Sequence, residues 1–354
     1  MQTVHKKILK TAVVGLGRIG WDFHIPTIVR HNEQFSLAAV VDVSQERLAE
    51  AKKTYGVPGY TDVAEMIRAE KPDLVVIASP THLHREHACA SMNMGVDVFL
   101  DKPMAQDYEA ALEIARCADK TSRKLMVFQP QRARPEVNQL KKILESGKLG
   151  RLVSIQVVRQ QYVRRADWQA FQKFGGGMLN NYGAHYIDVL VHLSEDRVKR
   201  LFCTKDLVAT LGDADDVVRI ILQTEKGITL DVDINQAAAL AKPEWVVYGQ
   251  CGAVMSRPNA QGQTELHLKW YDPQKLPKVE ASEDLAAKDR KYNNGEALPW
   301  VTEVIPLDPT AAVDFYEKVY EYYAEDKAPY VPIEETLYVM ELIRQCHENA
   351  GEVC

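Results

Sequence analysis

A lysine and a glycine-rich turn are the residues of this chain whose types and spacing point most directly to chemistry. Asp101-Lys102-Pro103 follows the apolar run VDVFL at 96–100. Open α/β sheets bind their ligands beyond the carboxyl ends of the strands. A lysine placed there can hydrogen-bond a substrate hydroxyl and favour its alkoxide-like form as hydride leaves; the plain alternative is a surface lysine at a strand–loop junction. The second feature is Gly15-Leu16-Gly17-Arg18-Ile19-Gly20, directly after Ala12-Val13-Val14. A strand feeding a helix through three glycines at this spacing makes a pocket for a pyrophosphate, with the first glycine in the tight turn, the second where the backbone meets the phosphates and the third where helix packs on strand. The helix N-terminus adds free N–H groups and a positive dipole end. Gly15, Gly17, Arg18, Ile19 and Gly20 are therefore expected cofactor contacts. Residues 35–42, FSLAAVVD, read as the next strand, and Asp42 lies 22 residues after Gly20. An acid about 20 residues on meets the adenosine ribose. Asp42 would accept hydrogen bonds from the ribose diol and repel a 2′-phosphate, which favours NAD over NADP, although Arg47 blunts that repulsion.

The elements that must position these residues alternate regularly. Ser44 caps a helix over 44–54 that Gly56 ends, and a second capped helix covers 61–70. DLVVIAS at 73–79 reads as a buried parallel strand. A helix at 83–94, the strand 96–100, a helix over 108–120 capped by Asp107 and a strand at 124–128 complete a doubly wound parallel sheet, giving an α/β unit over 1–128. The rhythm then changes. A helix at 134–146, a long strand at 151–164, a helix at 178–193 after Gly175-Gly176-Gly177, and strands at 200–210, 215–223, 227–236 and 243–249 predict an α+β unit over 129–354, with a large, mostly antiparallel, open-faced sheet. Its uncovered face calls for a second subunit, so a homo-oligomer is expected. Residues 256–306 read as an irregular insertion, and two amphipathic helices at 309–325 and 333–349 close the chain.

At 354 residues, with 46% hydrophobic and 26% charged residues, the chain has the composition of an ordinary globular protein of about two domains. Its net charge of −6 argues against nucleic acid and anionic membranes as partners. No apolar run approaches the ~18 residues of a membrane span, and the N-terminal stretch runs into the first strand without a signal-peptide core. The six cysteines are scattered without a CxxC pair, so no metal site or disulfide framework is expected and a cytoplasmic location follows. Tyr162, Arg164, Arg165 and Trp168 fall between the long strand and the glycine triplet. They are placed to rim a cleft and suit a sugar ring, or else pack an ordinary interface. His24, after the glycine turn, is placed for cofactor, substrate or structure alike, and the Lys102–Pro103 bond is a candidate cis peptide.

With these motifs in order, the chain resembles the glucose–fructose oxidoreductase / inositol dehydrogenase / rhizopine catabolism (Gfo/Idh/MocA) family. The glycine fingerprint matches, Ser79-Pro80-Thr81-His82-Leu83-His84 is similar to the family's loop ending in a histidine, and Asp101-Lys102-Pro103 is similar to its Glu-Lys-Pro signature with a shortened acid. Gln131-Arg132 lies where the family places an arginine, and Gly175-Gly176-Gly177 followed by Asn181 and His185 matches its glycine triplet, acid and histidine, with Asn181 replacing the acid. The resemblance implies a Rossmann domain, an NAD(P) cofactor contacted also by Ser79, Pro80, His84, Asp101, Lys102 and Gln131, and a catalytic Lys102 with His185 as acid/base. Arg132, Tyr162, Trp168, Asn181, His185 and Lys102 would face substrate. Asn181, His185 and Asp188 at i, i+4 and i+7 share one helix face, where Asp188 is placed to fix the His185 tautomer. An asparagine at 181 carries no proton, so any relay through that position needs another group.

The expected activity is hydride transfer between nicotinamide and a secondary hydroxyl of a carbohydrate or cyclitol, a sugar or glycoside such as C3 of a glucoside included. His185 would take the proton and Lys102 would stabilise the charge. The resemblance leaves two other readings: a glycosidase acting by transient oxidation and elimination with NAD retained, and a non-catalytic dinucleotide-binding regulator.

Overall fold

A computed structural model describes residues 7–276 and 297–350. The first unit begins with β1 (Leu9–Val14), which turns through the glycines and a wide π turn into the short helix α1 (Ile25–Arg30). It continues as β2 (Phe35–Val41), α2 (Gln45–Tyr55), β3 (Gly59–Tyr60), α3 (Val63–Glu70), β4 (Leu74–Ile77), α4 (His84–Asn93), β5 (Asp97–Asp101), α5 (Tyr108–Thr121) and β6 (Leu125–Phe128). The local signals explain the helix limits. The Ser44, Asp62 and Asp107 side chains accept from the N–H groups of Arg47, Glu65 and Ala110, and Gly56 closes α2 in the left-handed region at φ 73°. All strands are parallel, in the order β3-β2-β1-β4-β5-β6. The order reverses between β1 and β4, and that switch point is where a crevice opens beyond the strand ends.

The second unit contains α6 (Pro135–Glu145), β7 (Leu152–Gln160), α7 (Ala184–Ser194), β8 (Val198–Asp206), β9 (Val217–Thr224), β10 (Thr229–Asn235), β11 (Trp245–Gly249), β12 (Gly252–Pro258), β13 (Thr264–Trp270), β14 (Val301–Pro306), α8 (Phe315–Glu325) and α9 (Ile333–Ala350). Its eight-stranded sheet runs β14-β13-β12-β11-β7-β10-β9-β8, antiparallel except where β10 lies parallel to β7. Helices α7 and α9 cover one face: Ile187, Leu190, Leu342 and Ile343 share a core with Ile155, Ile220, Leu230 and Val232. Helix α8 instead returns to the first sheet, where Phe315, Tyr316 and Tyr320 pack with Val13, Val40, Phe99 and Phe128.

Three expectations need correction. The stretch 256–306 is not wholly irregular: it holds the end of β12 and all of β13 and β14, while residues 277–296 of it, with Tyr292, lie outside the described residues. In TELHLKW only Leu266 and Leu268 are apolar and buried, so a strand with one dry face showed only a brief alternation. The expected strand over 151–164 stops at Gln160, after which Tyr162 makes one isolated bridge to Ala237. The expected helix over 309–325 becomes a helical turn at Pro309–Ala311 and then α8, whose cap Asp314 accepts from Tyr316 and Glu317 N–H.

Candidate active site in the crevice between the two sheets

The glycine turn is built by close approach of main chains. Gly15 has φ 95°, and a Cβ on it would meet Ala78 O and Ser79 N at 2.6 Å. A Cβ on Gly20 would stand 1.9 Å from Gly15 O, whereas one on Gly17 would meet nothing within 4 Å. Two glycines are thus required by the protein's own packing. The third faces open space where a pyrophosphate would need the bare backbone, so the cradle fits a dinucleotide. At the end of β2 the Asp42 carboxylate accepts from Leu16 N–H at 2.7 Å and from Ser44 N–H at 2.9 Å, with an Arg47 nitrogen at 3.5 Å. It therefore fixes the turn as well as standing at the ribose position. Ser79 and Pro80 follow β4 beside Gly15. His84 is buried with its ring between Ser79 O (2.8 Å) and Pro103 O (3.0 Å). Both ring nitrogens face main-chain carbonyls, so His84 braces two loops of the crevice and is not free to touch a cofactor. His24 is equally internal: Nδ1 pairs with the Tyr316 hydroxyl at 2.8 Å, and burial lowers its pKa to about 3.

Lys102 follows β5, and its peptide bond to Pro103 is cis. Its ammonium reaches across to the second unit, donating to Asn181 Oδ1 at 2.7 Å and to the Asn181 carbonyl at 3.0 Å. The Asn181 amide donates in turn to Gln169 Oε1 at 3.3 Å, which also accepts from Arg165. Burial lowers the Lys102 pKa to about 8; Arg18 and Arg165 push the same way and Asp101 opposes them. Burial likewise raises Asp101 to about 6 against the pull of Lys102 and Arg18.

His185 is presented by the glycine triplet and the turn after it. Gly177 has φ 102°, and a Cβ there would lie 2.4 Å from Asp215 Oδ1. Asp215 accepts from Leu179 N–H at 2.8 Å, which starts the π turn Leu179–Gly183 that leads into α7. His185 is only 7% exposed, and its Nδ1 is buried without a hydrogen-bond partner. Burial, then the positive charges of Lys102 and Arg134, hold its pKa well below the usual imidazole value.

Asp188 does not orient His185. Its two oxygens accept from Arg132 Nε at 2.7 Å and Nη2 at 2.5 Å, and Arg132 also donates to Glu335. A charged fork at the right distance outcompetes a neutral imidazole for a carboxylate. Arg132, 3% exposed and paired with these two carboxylates, accordingly ties together the end of β6, α7 and α9, a structural task in place of the expected substrate contact. Gln131 accepts from Arg134 at 2.9 Å. Tyr162 and Trp168, 61% and 37% exposed, stand on the loop between β7 and the glycine triplet. Sequence reasoning missed Arg134, which faces His185, and Asp215 and Gln169, which hold the loop. Only the run Asp213-Ala214-Asp215-Asp216 carried any local signal for the second of these.

Residues 9–129 match the family model described as "Oxidoreductase family, NAD-binding Rossmann fold", and residues 137–255 match the GFO/IDH/MocA C-terminal domain. The chain belongs to the Gfo/Idh/MocA family. It is similar to inositol 2-dehydrogenase of Corynebacterium glutamicum, 26% identical over 65% of this chain and 67% of that one. It is also similar to the scyllo-inositol 2-dehydrogenase (NADP(+)) of Bacillus subtilis, 23% identical over 97% and 94%. Among solved structures it shares its fold with the WlbA dehydrogenase of Bordetella pertussis in complex with NADH and UDP-GlcNAcA: TM-score 0.76, 20% identity, 97% of each chain covered. As a Gfo/Idh/MocA protein the chain is an NAD-binding oxidoreductase with a parallel Rossmann sheet and a larger, mostly antiparallel second sheet.

Proposed function

We propose that this protein moves a hydride between NAD(H) and a secondary hydroxyl or ketone of a sugar, glycoside or cyclitol. The observation that carries this reading is the Lys102 ammonium bridging to Asn181 at the head of the helix that presents His185, beyond the end of β5, two strands from the β1 end that bears the glycine cradle. The dinucleotide would lie on Gly15–Gly20, with Asp42 at the ribose, and when bound it supplies the hydride acceptor or donor. The side chains do the rest. Lys102 and His185 hold the reacting hydroxyl and manage its proton, while Tyr162 and Trp168 offer ring faces at the rim. The carboxylate of Asp42, fixed by two backbone N–H groups, favours NAD over NADP despite Arg47. The inositol dehydrogenase relatives support the polyol class.

Self-association through the outer face of the second sheet completes the reading. Phe202 and Tyr248 are exposed there among Gln156, Asp231 and Arg219. A reducing cytoplasm suits the five cysteines at 89, 117, 203, 251 and 346, which among the described residues form no disulfide. The test is a panel of sugars, glycosides and inositols offered with NAD and with NADP, followed by absorbance of the reduced nicotinamide. Turnover of at least one polyol with NAD is expected. Nucleotide binding without turnover of any polyol would overturn the assignment.

A further inference from the structure

We propose that Asn181 makes Lys102, and not His185, the group that takes up the substrate hydroxyl's proton. The inference rests on the dehydrogenase reading above and assigns its proton half. Three observations carry it.

First, an imidazolium at His185 would find no free anion to rest against among the described residues. Asp188, the carboxylate nearest along the helix, is held by the Nε–Nη2 edge of Arg132, and His185 Nδ1 is buried with no hydrogen-bond partner. The charges that do face the ring, Lys102 and Arg134, are both positive. Protonating His185 would add a positive charge beside Lys102 and Arg134, and the carboxylates of Glu136 and Glu244 are already paired with Arg134.

Second, the Lys102 amine is tethered by neutral acceptors only. Asn181 Oδ1 and the Asn181 carbonyl orient Nζ without adding negative charge. The charged and titratable groups facing it are Asp101 from β5, Arg18 from the glycine turn, Arg165 from the loop after β7, and His185 from α7. Two arginines thus stand against one carboxylate that burial already biases towards its neutral form. With half-protonation at about 8, roughly one Lys102 in ten is the free amine at pH 7.

Third, the tether is placed for the task. Asn181 precedes His185 by one turn, so a hydroxyl between Nζ and the imidazole meets both. In the oxidative direction the O–H bond breaks as an N–H bond forms on Nζ. The C–H electron pair leaves with hydride for the oxidised nicotinamide, and the products are a ketone, the reduced cofactor and a Lys102 ammonium that Asn181 receives. His185 remains neutral and orients the hydroxyl. A carboxylate at 181 would instead hold the ammonium and deny the reaction its base.

The experiment measures Lys102 in the full-length protein without turnover. An amine-reactive acylating reagent is applied across a pH series, and labelling of the Lys102 peptide is quantified by mass spectrometry. In the wild type, half-maximal reactivity is expected near pH 8. In Asn181→Asp it moves upward by at least one pH unit, a tenfold gain in proton affinity. The pH dependence of kcat/KM for polyol oxidation should show a limb at the labelling midpoint that moves with it in Asn181→Asp. A wild-type midpoint in the ordinary lysine range, about 10.4, overturns the proposal without any variant. So does a kinetic limb that stays in place while the labelling midpoint moves, because the proton would then reside on His185. If the midpoints behave as expected but no polyol is oxidised, the dehydrogenase reading has failed and the proton assignment falls with it, while the Asn181 tether stands.

Discussion

The two walls of the crevice are held in place by different means. Around the glycine turn the contacts are main chain on main chain: Gly15 against Ala78 and Ser79, Gly20 against Gly15, with one carboxylate, Asp42, tying the loop to β2. Around His185 the contacts are side chains from distant segments. Asp215 sets the start of the π turn, Arg132 and Glu335 lock Asp188, and Gln169 holds Asn181. The contrast teaches that a cofactor cradle can be announced by ten consecutive residues even though Asp42, Ala78 and Ser79 help to hold it. The wall that meets the substrate is a property of four segments at once.

The largest expected effect tests whether the two walls act together. Lys102→Met removes the amine from one wall and His185→Ala the imidazole from the other. Each should lower polyol turnover by about 100-fold or more and leave NAD affinity, read by fluorescence titration, nearly unchanged. Full turnover in either variant removes that residue from the mechanism and reduces the crevice to one working wall.

The next effect is on stability and concerns the second wall alone. Asp188→Asn leaves the Arg132 guanidinium buried against a neutral amide, with only Glu335 for a counter-charge. Breaking a buried pair in this way costs about 3–5 kcal/mol, read as a lower urea midpoint. Turnover per folded molecule should change little. If Asp188→Asn instead abolished turnover with stability intact, the carboxylate would be acting on His185, as its spacing along the helix first suggested.

The difference between the walls also explains what the sequence disclosed. The Gly15–Gly20 fingerprint, the caps at Ser44 and Asp107, the capped helix over 61–70 and the buried run at 73–79 are local signals, and each fell within a few residues of the observed element. Lys102 was legible because a strand end fixes where the next residue goes. The partner of Asp188 was not, because helical spacing says which residues share a face but not which distant guanidinium arrives there. Arg132 comes from 56 positions away. Strands β13 and β14 were missed for a related reason. β14 is the edge strand and β13 its neighbour; β13 buries only Leu266 and Leu268 and β14 buries no residue fully, so neither carries a long apolar alternation to betray it.

A smaller effect separates packing from ligand contact inside the first wall. Gly20→Ala places a methyl 1.9 Å from a carbonyl oxygen that cannot move without moving β1. It should lose about 1–3 kcal/mol along with nucleotide binding. Gly17→Ala meets nothing within 4 Å in the protein. Its melting temperature should match the wild type while NAD affinity falls. Equal melting temperatures and equal NAD affinities for the two variants would mean that the turn neither packs nor binds as described.

Acidification gives the least effect and returns to the comparison of the two units. His24 and His84 in the first unit are fully internal, and burial lowers their pKa values to about 3 and about 4. His192 and His347 in the second are lowered to about 4, also by burial, but are partly exposed. In the unfolded chain each titrates near 6.5. Below that pH the unfolded state binds protons that the folded state refuses, so stability is lost as pH falls from about 6.5 towards 4. At pH 5 a fully buried histidine of this kind contributes a loss of up to about 2 kcal/mol, and a partly exposed one less. The check is the difference in urea midpoint between pH 7 and pH 5, measured for wild type, His84→Gln and His347→Gln. Each variant should lose less on acidification than the wild type, and His84→Gln should show the greater relief, whatever its stability at pH 7. An acid loss that neither substitution reduces would assign the pH response to the other histidines whose pKa burial lowers, His24, His185 and His192, because carboxylates raised by burial, such as Asp188 and Asp215, gain stability on acidification.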